Sequence, residues 1–176
     1  MDYQYEFLDR WVLPATPDEV YEALVDFDLY PKWGYPGYQF GRRDAEPGVG
    51  CTGKLVVQGG LPYKVNFDCK IIRLVPLREI AIAVEGDVSG VKIWTIRPMA
   101  GDNTELISDW RCNTNWVVFR TLTPVLKPMF RWNHGQCLNT AIAGLSKYLS
   151  SNRERKVSAR PGHGGVASAG SQTRID

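Results

Sequence analysis

The chain has 176 residues, 44% hydrophobic and 23% charged, with a net charge of +2. That length suits one domain that needs no disulfide or metal staple, since about 150 residues bury roughly 70% of their unfolded surface. No apolar run approaches the ~20 residues of a bilayer span, so no stable membrane insertion is expected, and the charge balance by itself calls for no nucleic acid.

The N-terminus (MDYQYEFLDR) is polar and lacks the apolar stretch of a signal peptide, which makes a cytoplasmic protein the default expectation. Tyr3, Tyr5, Phe7, Trp11 and Leu13 recur near period two and predict a first strand that Pro14 ends. Thr16-Pro17-Asp18-Glu19 reads as a capping box with proline at the first helical position. Val20, Ala23, Leu24 and Phe27 follow at helical spacing. A second short helical segment is expected over Asp26 to Trp33, broken at Pro31.

Gly and Pro then punctuate the chain. Strands are predicted near Tyr38–Arg43 and Gly53–Gln58, with hairpin turns at Glu46-Pro47-Gly48 and Gly59-Gly60. Further strands are predicted at Tyr63–Leu74, Glu79–Glu85, Val91–Arg97 and Thr104–Phe119, with Pro76 and Gly90 in connections and a tight turn at Gly101-Asp102-Asn103. Short connections imply an antiparallel meander, because parallel strands need crossovers of a dozen or more residues. A long helix from about Pro124 to Ser150 closes the domain, with Phe130, Cys137, Leu138, Ala141, Ile142, Leu145 and Leu149 along one side. Residues 151–176, rich in Gly, Ser and Arg, read as a disordered, mildly basic tail. The division is therefore 1–150 for the folded domain and 151–176 for the tail.

This is an α+β order: strand, two short helices, a run of antiparallel strands, one long helix. A curved sheet must bury its concave face, and a single helix about 10 Å across does not fill the hollow of six or seven strands. Large side chains or a ligand must occupy the rest. Six Trp, eight Tyr and six Phe provide material for such a lining.

Four segments carry a resemblance. Leu13–Trp33 (LPATPDEVYEALVDFDLYPKW) looks like the opening of the START-like, birch-allergen-like superfamily, in the branch of polyketide cyclase/dehydrase and lipid transport proteins (SRPBCC). Val75–Val84, Trp94–Pro98 with the turn to Thr104, and Phe130–Leu149 are similar too. The likeness spans about residues 3 to 150. It implies a helix-grip fold with a deep apolar cavity, and it fixes no reaction, because the superfamily includes carriers, receptors and cyclases.

His134 sits near the centre of the apolar stripe of the last helix, among Phe130, Cys137, Leu138 and Ala141, with Asn133 at its edge. An imidazole there is a structural group bonded to a neighbour, a polar contact for a ligand, or an acid/base group for an aldol-type cyclisation. On the last strand Leu106, Ser108, Trp110, Cys112 and Trp116 share the face expected to be concave. Trp94 alternates inward on the preceding strand, and Trp33 lies near the cavity mouth. The candidate ligand-binding set is thus Trp33, Trp94, Ser108, Trp110, Phe130, Asn133, His134, Cys137 and Ala141. Asp68, Arg97, Asp109 and Arg111 are expected on the convex, solvated face, although an Asp–Arg pair inside the cavity is the alternative. A Ser108–His134–Asp109 triad is rejected for want of a nucleophile elbow.

No phosphate loop, metal set or cofactor motif is present in the sequence. Cys51, Cys69, Cys112 and Cys137 form no CxxC pair and read as buried free thiols. The functional expectation is a carrier of a small hydrophobic molecule of lipid, polyketide or isoprenoid class. The alternatives are a polyketide cyclase or dehydratase using His134, and a ligand-free modulator of a partner protein. The oligomeric state stays open.

Overall fold

The computed structural model describes residues 3–34, 39–42, 46–58, 64–115 and 123–158. Its elements in chain order are β1 (Tyr5–Leu13), α1 (Pro17–Val25), a 3-10 turn (Phe27–Leu29), α2 (Tyr30–Trp33), β2 (Gln39–Arg42), β3 (Thr52–Gln58), β4 (Lys64–Val75), β5 (Glu79–Gly86), β6 (Val88–Met99), β7 (Asn103–Thr114) and α3 (Thr123–Ser158). The seven strands form one antiparallel sheet in the order β1-β7-β6-β5-β4-β3-β2. The meander β2 to β7 is sequential, and β1 adds beside β7, so α1 and α2 carry the chain from one edge of the sheet to the other. The architecture is a helix-grip fold, with the curved sheet wrapped around α3.

The helix start after β1 forms as its residues dictate. The Thr16 backbone N–H donates to Glu19 Oε2 at 3.1 Å, and the Glu19 N–H donates to Thr16 Oγ1 at 3.5 Å. The buried Thr104 hydroxyl donates to the Ala15 carbonyl at 2.7 Å and ties the end of β1 to β7. Pro31 does not break the next segment. It lies in the first turn of α2, where its missing N–H costs nothing. Tyr30 Oη donates to the Leu24 carbonyl at 2.9 Å and Trp33 Nε1 to the Ala23 carbonyl at 3.3 Å, so α2 is locked beneath the end of α1.

The structure shifts three boundaries. Gly90 lies within β6, which starts at Val88 instead of Val91. A Cβ at Gly90 would stand 2.0 Å from the Arg111 carbonyl oxygen, so β6 crosses β7 too closely for any side chain there. The last strand ends at Thr114 instead of Phe119; Trp116 lies outside the described residues, as does the expected turn at Gly59-Gly60. The final helix runs to Ser158, which places 151–158 in helix rather than in the expected tail; 159–176 lie outside the described residues. The extension has a physical anchor: Arg153 reaches Asp102 at 3.3 Å and Glu19 at 3.9 Å.

The core joins α1, α2 and the lower half of α3 to the sheet through Leu13, Val20, Leu24, Phe27, Trp33, Ile80, Ile96, Leu106 and Leu145. All four cysteines are buried, and none forms a disulfide among the described residues. No helix among the described residues is long and apolar enough to cross a membrane.

Two glycines of α3 have opposite surroundings. A Cβ at Gly144 would stand 2.1 Å from the Trp33 carbonyl oxygen, whereas one at Gly135 meets nothing within 4 Å. Gly144→Ala is therefore expected to destabilise by about 1–3 kcal/mol through overpacking. Gly135→Ala is expected to stabilise by up to about 1 kcal/mol through helix propensity. Urea denaturation of both variants checks this; equal shifts of the same sign would contradict the close approach of α2 and α3.

Candidate ligand-binding cavity

Strand alternation sets rows of side chains on the concave face. One row runs Phe7, Trp110, Lys92, Ile82, Ile71 across β1, β7, β6, β5 and β4. A neighbouring row begins Asp9, Ser108, Trp94, Ile80. On the opposite wall α3 presents Phe130, His134, Cys137, Leu138, Ala141 and Ile142, and α2 contributes Trp33. Between them the described residues line a pocket of about 250 Å³.

Of the residues singled out in the sequence, Trp33, Trp94, Trp110, Phe130, Asn133, His134, Cys137 and Ala141 line this pocket. Ser108 does not. It is fully buried in the row behind Trp110, and its hydroxyl has no hydrogen-bond partner among the described residues. Trp33 is held by its indole N–H, and Trp94 is 4% exposed. Asp109 pairs with Arg111 at 2.8 Å and Arg97 with Glu105 at 3.5 Å, both outside the pocket, and Asp68 is exposed. The charged residues weighed in the sequence therefore lie on the convex side.

The charges at the pocket are others. Lys92 and Asp87 line it, and Asp9 stands beside His134. Asp87 is engaged by Asn66, whose backbone N–H donates to its Oδ2 at 2.8 Å. Asp9 and Lys92 were visible in the alternation, because Asp9 lies between Phe7 and Trp11 at period two and Lys92 two residues before Trp94. His134 Nε2 lies 3.0 Å from Asp9 Oδ2, and its ring stacks on Phe7 with centroids 4.0 Å apart. The hydrogen bond from His134 holds the Asp9 carboxyl below its ordinary 3.8 against the opposing effect of burial, with help from the charges of His134 and Lys92. Burial in turn lowers His134 below 6.5; the bond to Asp9 opposes this, and the Lys92 charge adds to it. The pair near neutral pH is therefore a carboxylate and a neutral imidazole. A carboxylate only accepts, so Nε2 carries the proton and donates, and Nδ1 keeps a lone pair. The contact is a charge-assisted hydrogen bond rather than an ion pair.

Lys92 projects from the middle of β6 between Ile82 and Trp110. Its Nζ sits 4.1 Å from the centroid of the Trp94 ring. It makes no hydrogen bond or ion pair among the described residues. Burial lowers its pKa from 10.5 to about 8, partly opposed by Asp9 and by the thiols of Cys69 and Cys112. Burial pushes both thiols up to about 12, so they are neutral walls and not nucleophiles. The pocket is thus apolar aromatic surface with a Lys ammonium, the Asp87 carboxylate, a fixed Asp9–His134 pair at its side and three cysteines, of which Cys69 and Cys112 are held neutral. No group of three or more His, Cys, Asp or Glu suited to a metal occurs among the described residues.

Two outcomes follow from these charges. Below pH 8 the lysine is charged in both folded and unfolded states, and the folded state carries the cost of desolvating it. Lys92→Met is expected to raise stability at pH 7 by about 1–3 kcal/mol. The advantage over the parent should shrink as pH rises from about 8 through 10.5, where the folded parent has already lost the proton. Denaturation of both proteins across that range checks it, and a constant gap would contradict a desolvated ammonium. For His134 the depressed value means that the unfolded state binds the proton first, so stability falls as pH drops below 6.5. In His134→Gln, which retains a donor for Asp9, that dependence should flatten; an unchanged slope would place its origin elsewhere.

The family described as polyketide cyclase/dehydrase and lipid transport matches residues 9–150. No curated protein matches the chain. Among solved structures, TTHA0849 from Thermus thermophilus is 16% identical with a TM-score of 0.69, over 84% of this chain and 99% of that one. A conserved protein from Geobacillus kaustophilus is 16% identical with a TM-score of 0.64, over 84% and 97%. Ara h 8.0201 is 14% identical with a TM-score of 0.62, over 84% and 99%. At such identities these structures show the fold alone. The family match begins at Asp9, takes in Lys92 and His134, and ends in α3; the chain belongs to the polyketide cyclase/dehydrase and lipid transport family.

Proposed function

We propose that the protein binds or carries a small, mainly apolar molecule between α3 and the concave face of the sheet. The observation that carries this reading is the 250 Å³ pocket walled by Phe7, Phe67, Trp94, Trp110, Phe130 and Leu138. That volume lies a little below the ~300–1,000 Å³ usual for ligand sites, which favours a small occupant. An apolar ligand displaces water from these walls at roughly 25 cal/mol per Å² of apolar surface covered. The ligand-free modulator expects the tryptophans to fill the interior, and a hollow of this size weighs against it.

A second reading is favoured by the Asp9–His134 bond. Asp9 fixes the imidazole tautomer and leaves Nδ1 as a base, an arrangement suited to moving a proton on a bound carbonyl compound, as a cyclase or dehydratase requires. In this reading Asp9 is a positioning residue and His134 the proton carrier.

Extraction of the purified, denatured protein and mass spectrometry of the extract test the first reading, together with thermal shifts against a library of apolar molecules. Retention of a small apolar molecule is expected, or a shift of several degrees at ligand concentrations about 100-fold above Kd. Ala141→Phe, which fills the wall of α3, should abolish either signal while the protein stays folded. A blank extract with no shift from any ligand would sink the proposal. Turnover of a carbonyl substrate lost in His134→Ala, with ligand binding kept, would raise the second reading above the first.

A further inference from the structure

We infer that the occupant of the cavity carries a carboxylate, and that this group docks on the ammonium of Lys92 while the apolar body lies against Trp94, Trp110 and α3. The inference rests on the apolar-ligand reading and specifies the polar end of that ligand.

Lys92 emerges from the centre of β6, with Ile82 on one neighbouring strand and Trp110 on the other. The residue is half-buried, and it lines the pocket. Its amine lies against the Trp94 ring and has no anionic or hydrogen-bonding partner among the described residues. The carboxylate whose charge it feels, Asp9, is already engaged by His134, and Asp87 is held by Asn66. Cys69 and Cys112 stay protonated and bring no charge. An ammonium has three donors, and among the described residues none of them meets a hydrogen-bond acceptor. An anion entering the pocket meets donors without a protein acceptor, beside apolar aromatic walls where a charge-assisted bond is stronger than at the surface. The lowered pKa of Lys92 agrees with such surroundings, and the ammonium still predominates at neutral pH.

The same chemistry makes the site selective. A neutral alcohol of the same shape covers the same apolar wall but does not offset the buried charge, so the acid should be preferred. An organic cation should be excluded by repulsion from Lys92.

The test uses the full-length protein at pH 7 with 4-phenylbutyrate and 4-phenylbutan-1-ol, matched in shape and differing at the head group, measured by isothermal titration calorimetry. The native protein is expected to bind the acid about tenfold more tightly than the alcohol, the factor that one modest charge-assisted bond confers. In Lys92→Met the preference should vanish while the alcohol still binds. Lys70→Met, at an exposed lysine on the outer face of β4, should leave it intact. Lys92→Gln repeats the comparison should the methionine variant fail to fold. In the native protein, the Lys92 side-chain NMR signals should move with the acid and not with the alcohol. Equal binding of both probes, or a preference that survives at Lys92→Met and Lys92→Gln, overturns the carboxylate inference and leaves the apolar-ligand reading standing. Binding of neither probe to the native protein overturns both.

Discussion

Seven strands bend around a helix only about 10 Å across, and this difference in width is what the rest of the molecule accommodates. At one end α1 and α2 fill the space, with Leu24, Phe27 and Trp33 packed between α3 and the sheet. The contact is close enough that only glycine fits at position 144. At the other end no element takes that place among the described residues, and Phe7, Trp94 and Trp110 of the sheet and Phe130 of α3 line a hollow. Two of these rings are held by their own neighbours, Phe130 edge-on to Tyr5 at 5.5 Å and Phe7 stacked on His134, which props the walls of the space apart.

The polar groups of the hollow divide into satisfied carboxylates and an unsatisfied charge. Asp9 and His134 answer each other, which fixes α3 to the edge strand β1 and satisfies a half-buried carboxylate. Lys92 lies against the face of Trp94 and has no hydrogen-bond or ion-pair partner among the described residues. A fold selected for stability alone would put methionine or leucine there, since a half-buried ammonium without an acceptor is a cost. Where a local rule is broken inside a pocket, a functional role is the natural explanation. The two parts also define a polarity for any occupant, with a cationic site on the sheet and a basic imidazole nitrogen on the helix.

Much of this was legible in the sequence. The capping box at Thr16, the period-two strands and the apolar stripe of α3 are local signals, and local signals suffice for element type and order. The inward face of β7 follows from alternation, and with it Trp110 and Cys112. Other features depend on tertiary contacts. Gly90 reads as a turn residue because its use, the close crossing of β6 over β7, involves Arg111 on another strand. The helical stretch past Ser150 is polar and lacks a stripe, and its support comes from Arg153 meeting residues of α1 and of the β6–β7 turn. Asp9 and Lys92 were open to the alternation argument, yet a charge within a strand ordinarily belongs on the solvated face. That rule holds for Arg97, Asp109 and Arg111, and it fails at the two positions that give the pocket its electrostatics.

Ligand binding here requires a hollow that is apolar and open to a guest. Xenon reports this without any assumption about the ligand, because it enters dry cavities and avoids packed interiors. Crystals of the protein pressurised with xenon should show bound atoms between Trp94, Trp110 and Leu138. An interior without xenon, in which those rings have closed on one another, would contradict the account at its base.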